Sequence, residues 1–394
     1  MASAIGSVFH TLAHGTWQLV KKKMVKKSTI VLVFWVLPLI SDFATAQDLA
    51  QEIAVLRTVQ AGDEGTRLAL PAIARLKSGT IADLIPVLNA MKDAAPIGRN
   101  YLALAANSLH RKGSAALTSQ LEEFVEDRSQ DGEARYMVFQ WLTANDQQVR
   151  ATKLALMIDD PSLELRFAAI ELATKQVEGL ENQVDRAAKL SELFHSSRQP
   201  MQVIRLAKKL TDLAKPVDTI KHFGFLTQWN LIGPFDNANE LHFDTVYDVE
   251  KDLLANKFDT SSSYPGKHDK VSWLQHTSDN QEGVVNVADL YIKEKGAIVY
   301  AVKILTFKEA QRVELRLGTI NANKVWWNSE LVTANKVYHS AMEIDQYVGP
   351  IEVRSGANQV VLKLCQNEQT QPWAQDWKFQ VRICKPDGTA VLPQ

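Results

Sequence analysis

Asp160-Pro161-Ser162-Leu163-Glu164-Leu165-Arg166-Phe167-Ala168-Ala169-Ile170 is the stretch whose reading settles the first half of the chain. The Asp-Pro step opens a helix, because proline is accommodated in the first helical turn. Apolar residues then return at a spacing of three to four, at Leu165, Ala168, Ala169, Leu172 and Ala173, which marks one buried helical face. The alanines permit close helix–helix approach, and Arg166 has the reach to lie across a neighbouring turn.

Outward from this stretch, the arrangement recurs. Arg67, Arg99, Arg135, Arg166 and Arg205 stand 32, 36, 31 and 39 residues apart, each near the start of an apolar helical pattern. Second helices fit between them, over Thr80–Met91, Ala115–Glu126 and Gln147–Ile158. Gly79, Gly113, Asp131-Gly132 and Asp159-Asp160-Pro161 act as breakers. A period in the thirties built from two helices predicts an α-solenoid; a helical bundle without a regular superhelix is the competing reading. The segment Asp159–Lys175 resembles the D-P-x-x-x-x-R-x-A-A-I pattern of the second helix of HEAT repeats.

Lys215-Pro216-Val217-Asp218 ends this texture, since proline cannot continue a helix. Six of the nine tryptophans lie beyond residue 228, and alternating apolar runs replace helical ones. Strands are expected at Ala297–Phe307, Gln311–Gly318, Lys324–Asn328, Ile351–Arg354, Gln359–Gln366 and Lys378–Cys384. Turns fall at Ser355-Gly356-Ala357-Asn358 and Pro386-Asp387-Gly388. Many short strands with regular turns predict an antiparallel β-sandwich, with a jelly roll as its expected form. The fold class read from the sequence is thus α + β in separate domains, with residues 47–215 a HEAT-like helical repeat domain and 216–394 a β-sandwich domain.

Several motifs here resemble a β-sandwich module, galactose-binding-like in fold, found in secreted bacterial HEAT-repeat and carbohydrate-active proteins. They are Trp229-Asn230-Leu231-Ile232-Gly233-Pro234-Phe235-Asp236-Asn237, His242-Phe243-Asp244-Thr245-Val246-Tyr247, Arg316-Leu317-Gly318, Lys324-Val325-Trp326-Trp327-Asn328 and Gly356-Ala357-Asn358-Gln359-Val360-Val361-Leu362-Lys363. The resemblance covers roughly residues 223–390. The chain departs from it at Thr319-Ile320-Asn321, where the family often carries Ser-Asp-Asp, and at Asn328-Ser329, where it carries Asn-Gly. The resemblance therefore implies the fold more strongly than it implies sugar binding.

At the other end, Lys21-Lys22-Lys23-Met24-Val25-Lys26-Lys27 precedes the apolar run Thr29–Ile40, followed by Ala44-Thr45-Ala46. This order predicts a secretory signal over residues 1–46, cleaved after Ala46. Translation from Met24 would give a signal of ordinary length; an uncleaved anchor is the alternative. The run is shorter than the roughly 20 residues that cross a bilayer, so no stable transmembrane segment is expected after cleavage. The expected location is the periplasm, the cell surface or the exterior.

The 394 residues carry a net charge of −1. Such a balance supplies no basic field for nucleic acid, which is not expected as a partner. Cys365 and Cys384 are the only cysteines, too few for a disulfide framework. A hairpin centred near Gln371 would set Cys365 opposite about Asp376, away from Cys384, which argues against a bond between them.

No nucleophile elbow, zinc helix, phosphate loop or dinucleotide fingerprint is present, and neither a catalytic residue nor a cofactor is expected. His268 and His276, with Asp269 and Asp279, are too loosely spaced for a metal site. Asp236, Asn237, Asn239 and Asp244 offer clustered oxygens that suit either a structural calcium or turn capping by Asx side chains. Glu122-Glu123 and Asp159-Asp160 are read as a solvated helix face and a helix start. Neighbouring strand residues point to opposite faces, so one of Trp326 and Trp327 is expected in the core and the other exposed. Trp327, Trp373 and Trp377 are the candidate sugar-stacking residues, against the plainer role of covering the sheet.

The sequence thus reads as an exported, non-catalytic binding or scaffold protein. Its helices would present a surface to a protein or peptide, and its sandwich would be an accessory recognition domain. The alternative is a carbohydrate-binding protein with its sugar site on the sandwich.

Overall fold

The computed structural model describes residues 41–394 apart from Lys293, with side chains from Asp48 onward. The predicted signal core at Thr29–Ile40 and the start at Met24 lie outside the described residues. Residues Gln51–Gln394 form one compact unit, which joins helices to antiparallel sheets.

The helices are α1 (Ser41–Arg57), α2 (Asp63–Ser78), α3 (Leu84–Asn89), α4 (Pro96–His110), α5 (Thr118–Glu126), α6 (Gly132–Thr143), α7 (Gln147–Leu154), α8 (Leu163–Glu178), α9 (Gln183–Ser196), α10 (Pro200–Asp212) and α11 (Thr219–Phe223). Arg67, Arg99, Arg135, Arg166 and Arg205 fall on α2, α4, α6, α8 and α10. The shorter helices α3, α5 and α7 occupy the intervals expected for a second helix, and α9 supplies one more between α8 and α10. Side-chain caps fix the starts. Asp131 accepts from the Ala134 amide at 2.9 Å, Asp146 from Val149 at 2.9 Å and Ser162 from Leu165 at 3.3 Å, each satisfying a donor the helix itself leaves open.

Asp160 stands just before α8, as the helix-start reading places it, and it is buried. It is 3% exposed and receives both ends of the buried Arg135 guanidinium, at 2.6 and 3.0 Å. Its backbone carbonyl takes Arg166 Nε at 2.7 Å. Three segments around the Asp-Pro step are tied in this way, because a buried carboxylate needs a cation and a buried guanidinium needs several acceptors. Asp159 is exposed and pairs with Arg128 at 3.0 Å.

Gly224, at φ 75°, closes α11 in the left-handed conformation that glycine adopts without strain. The chain then enters β1 (Gln228–Asp236). There follow α12 (Asp248–Leu254), β2 (Ser263–Pro265), β3 (Lys270–Ser272), β4 (Leu274–Thr277), β5 (Val285–Asn286), α13 (Val287–Leu290), β6 (Ala297–Phe307), β7 (Gln311–Thr319), β8 (Ala322–Trp327), β9 (Glu330–Asn335), β10 (Tyr347–Val353), β11 (Gly356–Gln366) and β12 (Lys378–Cys384). One sheet runs β4-β1-β6-β11-β8-β9 and a second runs β10-β7-β12-β5.

A single apolar cluster draws on both sheets, with Trp229, Leu231, Val299, Val325, Val360 and Leu362 from one and Val313, Leu317, Phe379 and Val381 from the other. The alternation along β11 puts Val360, Leu362 and Leu364 in this cluster, and Val361 and Cys365 in another on the opposite face. That opposite face is not left to solvent. Phe243, Val249, Leu253 and Tyr264, from the segment between β1 and β4, pack on Ile298, Tyr300 and Trp326.

This second layer corrects the tryptophan expectation. Trp327 is 3% exposed in the cluster between the sheets and Trp326 is 6% exposed beneath the covering segment, so both are buried. The strand rule holds, but each face of this strand meets protein.

The hairpin centred near Gln371 is also corrected. β11 is flanked by β6 and β8, and β12 by β7 and β5. The turn at Pro372–Gln375 therefore carries the chain from one sheet to the other. Cys365 and Cys384 are buried, free, and on different sheets; burial pushes the Cys365 thiol up to about 12 and the Cys384 thiol to about 11.

Candidate functional site

Trp377 is fully buried in the cluster between the sheets, its ring tilted 44° to that of Tyr291 at 6.1 Å. Trp327 spends its indole N–H on the Glu352 carbonyl at 2.9 Å. Neither presents an open ring face. Trp373 does: it is 59% exposed and stands perpendicular to the His339 ring at 5.1 Å. His339 bonds Asn367 at 2.8 Å, and Asn367 donates to Glu240 at 2.8 Å.

The four calcium candidates do not converge. Asn237 is fully buried, donating to Tyr338 Oη and the Gln366 carbonyl, both at 3.0 Å, and accepting from the His242 amide. Asp236 accepts from the Ala238 amide at 3.1 Å, and the Asn239 amide donates to Glu368. Asp244 reaches away to Lys324 at 2.7 Å, whose ammonium holds its carboxyl below the usual carboxylate range. Among the described residues, no group of three or more His, Cys, Asp or Glu is arranged to hold a metal. Of the four, Asp236 makes the Asx turn, to the amide two residues on; the other three reach distant segments. His268 pairs with Glu294 at 3.2 Å.

Asn321, standing where the resembling family often carries an acid, is fully buried. Its amide donates to Gln366 Oε1 at 2.8 Å and its carbonyl accepts from the Lys378 amide at 3.2 Å. That position locks the turn between β7 and β8 to the crossing segment.

A different place gathers the features of a ligand site. Where α6, α8 and the start of α10 meet Arg316 of β7 and the turn after β12, a groove of about 310 Å³ opens. Tyr136, Leu163, Phe167 and Pro200 are its apolar lining; Glu164, Arg198, Arg316, Asp345 and Asp387 are its charged lining, with Glu164 engaged by the Ser162 hydroxyl at 3.0 Å. Leu163 and Phe167 are 40% and 38% exposed and lie four residues apart on α8, hence on the same helical face.

The arginines are held in unlike ways. Arg316 bonds Glu314 at 2.6 Å, Asp345 at 2.8 Å and the Pro386 carbonyl at 2.9 Å. Buried Arg382 grips the same Asp345 from behind, at 2.7 and 2.5 Å. Burial alone would raise the Asp345 pKa, but these two guanidiniums hold it below the ordinary range. Arg198 instead donates to the His195 and Ser197 carbonyls at 2.7 and 2.8 Å and to Thr389 Oγ1 at 3.0 Å. Burial, and then the like charge of Arg166, press its pKa down.

A larger cleft of about 570 Å³ borders β5 and the Met342–Ile344 loop, with Asp279, Glu282, Asp289 and Glu343 on its walls. It has no aromatic floor comparable to Tyr136 and Phe167. Ligand sites pair an apolar surface with a few fixed polar groups, and the junction groove meets that description better.

Sequence reasoning singled out none of Arg198, Asp345 or Asp387 as site residues. Asp387 was visible only as a turn residue and Arg316 only within Arg316-Leu317-Gly318. What unites them is tertiary: they belong to segments up to two hundred residues apart, as the Arg198–Thr389 bond with its separation of 191 illustrates.

No protein-family model matches the chain, and no curated protein matches it significantly. Among solved structures it is similar to a β-glucosidase from Kluyveromyces marxianus, with 11% identity and a TM-score of 0.25 over 40% of this chain. The same β-glucosidase in complex with glucose gives 10% and 0.23 over 40%, and the GH31 α-xylosidase from Xanthomonas citri gives 12% and 0.18 over 41%. This chain spans only 16% of each of those proteins, and scores of this size do not establish a shared fold.

Proposed function

We propose that this chain is an exported, non-catalytic binding protein whose junction groove takes a peptide segment of a partner. In this reading the helix pairs form a HEAT-like α-solenoid and the two sheets a galactose-binding-like jelly roll, with domains at 47–215 and 216–394. The observation that carries the binding role is the pairing of exposed Leu163 and Phe167 with half-buried Arg198 in one groove. A panel of random peptides screened against the full chain tests it. Retained peptides that are lost on Phe167→Ala support the reading; turnover of a peptide or glycan by the pure protein overturns it.

Export rests on the order of charged, apolar and small residues in 1–46. Fractionation of the producing cell, with N-terminal sequencing, should find a mature chain beginning at Gln47.

A second reading, carbohydrate binding on the sheets, is favoured by one observation: the open face of Trp373 beside the polar His339–Asn367–Glu240 chain. Aromatic faces and clustered hydrogen-bonding groups suit sugar rings. A glycan array positive for the full chain and blank for Trp373→Ala would favour it over the first.

A further inference from the structure

The peptide-binding reading leaves the chemistry of the ligand open, and the groove narrows it. We propose that the groove recognises a peptide through a carboxylate, the negative group seating on Arg198 and the adjoining apolar side chain lying on Tyr136, Leu163 and Phe167. This inference rests on the reading above and deepens it.

Arg316 is already neutralised by Glu314 and Asp345. Arg198 is not. All three of its hydrogen-bond partners are uncharged oxygens, and it forms no ion pair among the described residues. Its Nε and Nη1 are fixed by those bonds, which leaves Nη2 without a protein partner and the whole fork held in one orientation. Asp387 accepts from the Thr389 amide at 2.9 Å and from its Oγ1 at 3.0 Å; it keeps its charge and acts through space on Arg198 and Arg166, but it forms an ion pair with neither. Arg166 behind it is likewise bound only by the carbonyls of Asp159 and Asp160. Two guanidiniums thus have only uncharged oxygens as hydrogen-bond acceptors, three carbonyl or hydroxyl oxygens for Arg198 and two carbonyls for Arg166. A planar fork already ordered by the protein is well matched to a carboxylate.

The rest of the groove selects against a sugar. An acidic sugar would present hydroxyls around its ring, and each needs a partner when it leaves water. Beside its polar groups, the groove sets a continuous aliphatic and aromatic surface of Tyr136, Leu163, Phe167 and Pro200, and its volume of about 310 Å³ suits one or two side chains. An apolar residue next to a terminal carboxylate, or next to an aspartate or glutamate, satisfies both walls.

The test uses the full chain and a positional-scanning library of labelled six-residue peptides, prepared with free and with amidated C-termini and read by fluorescence anisotropy. Free-carboxylate peptides with an apolar residue at or beside the terminus should bind, and amidation should weaken them about tenfold or more, the usual size of a charge-assisted hydrogen bond. Arg198→Gln should erase that difference and Arg198→Lys should restore part of it, whereas Phe167→Ala should weaken both forms. The free-versus-amide comparison needs no variant, so it decides the matter even if Arg198→Gln fails to fold. Equal binding of free and amidated peptides, with acidic side chains also without effect, overturns the carboxylate while the peptide-binding reading stands. If no peptide binds and an oligouronate does, both fall in favour of an acidic sugar. If neither binds, both fall.

Discussion

Arg135 and Asp160 meet in the helical region, 25 residues apart, while Lys363 and Glu250 meet in the sheet region, 113 residues apart. Both pairs are buried. In the helices the pair stitches one helix pair to the next, and its acceptors come from the same short turn that starts α8. In the sheets it pins the covering segment to β11: Lys363 also donates to the Thr245 carbonyl at 2.6 Å, and Glu250 receives the Tyr300 hydroxyl at 2.5 Å. Burial pushes the Lys363 pKa down, with Glu250 resisting. The helical region is thus built from contacts between helices close in sequence. The sheet region is built from contacts that close only when distant segments have arrived.

The largest expected effect breaks each pair singly. Asp160→Ala should cost about 3–5 kcal/mol, because it strands a buried guanidinium. Hydrogen exchange should then rise first in α6 and α8 and leave β6 and β11 protected. Lys363→Met should cost a similar amount but loosen the segment 242–254 together with the sheet beneath it. If both variants loosen the whole molecule alike, the contrast between local and distant stitching is wrong. The double variant Lys363→Met with Glu250→Leu should recover most of the loss, since a well-packed apolar pair often replaces a buried ion pair without penalty.

Next in size is an acid effect at the junction. His222 Nε2 donates to the Ser197 carbonyl at 3.0 Å and packs on Phe194 at 4.4 Å; burial lowers its pKa from 6.5 to about 4. Above pH 6.5 the ring is neutral in both folded and unfolded chains, and nothing is lost. Below it the unfolded chain takes the proton and the native chain does not. Stability should therefore fall by about 3 kcal/mol as the pH drops from 6.5 to 4. Urea titrations at pH 7.5, 5.5 and 4.5 should show this slope, and His222→Gln should flatten it.

A smaller gain is expected at the turn joining β8 and β9. Asn328 and Ser329 both have positive φ, 49° and 73°, and the Ser329 hydroxyl is buried without a partner. Ser329→Gly should raise stability by about 1 kcal/mol, by removing backbone strain and an unpaired hydroxyl together. Asp212→Ala, which removes an exposed pair with Lys208, should move it by less than about 0.5 kcal/mol.

The same contrast decides how much was legible in advance. Arg135, Arg166 and their apolar followers announce the helices because helical contacts repeat at short range. The strands Ala297–Phe307 and Lys378–Cys384 were expected with the bounds they have. Strand β1 was quoted only as a motif. It contains Gly233-Pro234, which argues against a central strand, yet a register shift between Ile232 and Phe235 absorbs the proline. The covering segment was invisible because nothing in 242–273 says which face it will meet. For the same reason Trp326 and Trp327 were misjudged, and Arg198 was passed over until the fold brought Thr389 beside it.

The passage from α11 into β1 has one more consequence. Phe225 already bridges to Arg382, the Leu226 amide bonds the Val381 carbonyl at 2.8 Å, and Thr219 reaches the Gln281 carbonyl at 2.7 Å. Phe223 and Phe225 share one cluster with α8, α9 and α10. No slack tether separates the two architectures, so the groove between them behaves as a caliper locked at one gap. On the proposed peptide-binding role, a ligand would be measured against the width that these bonds set.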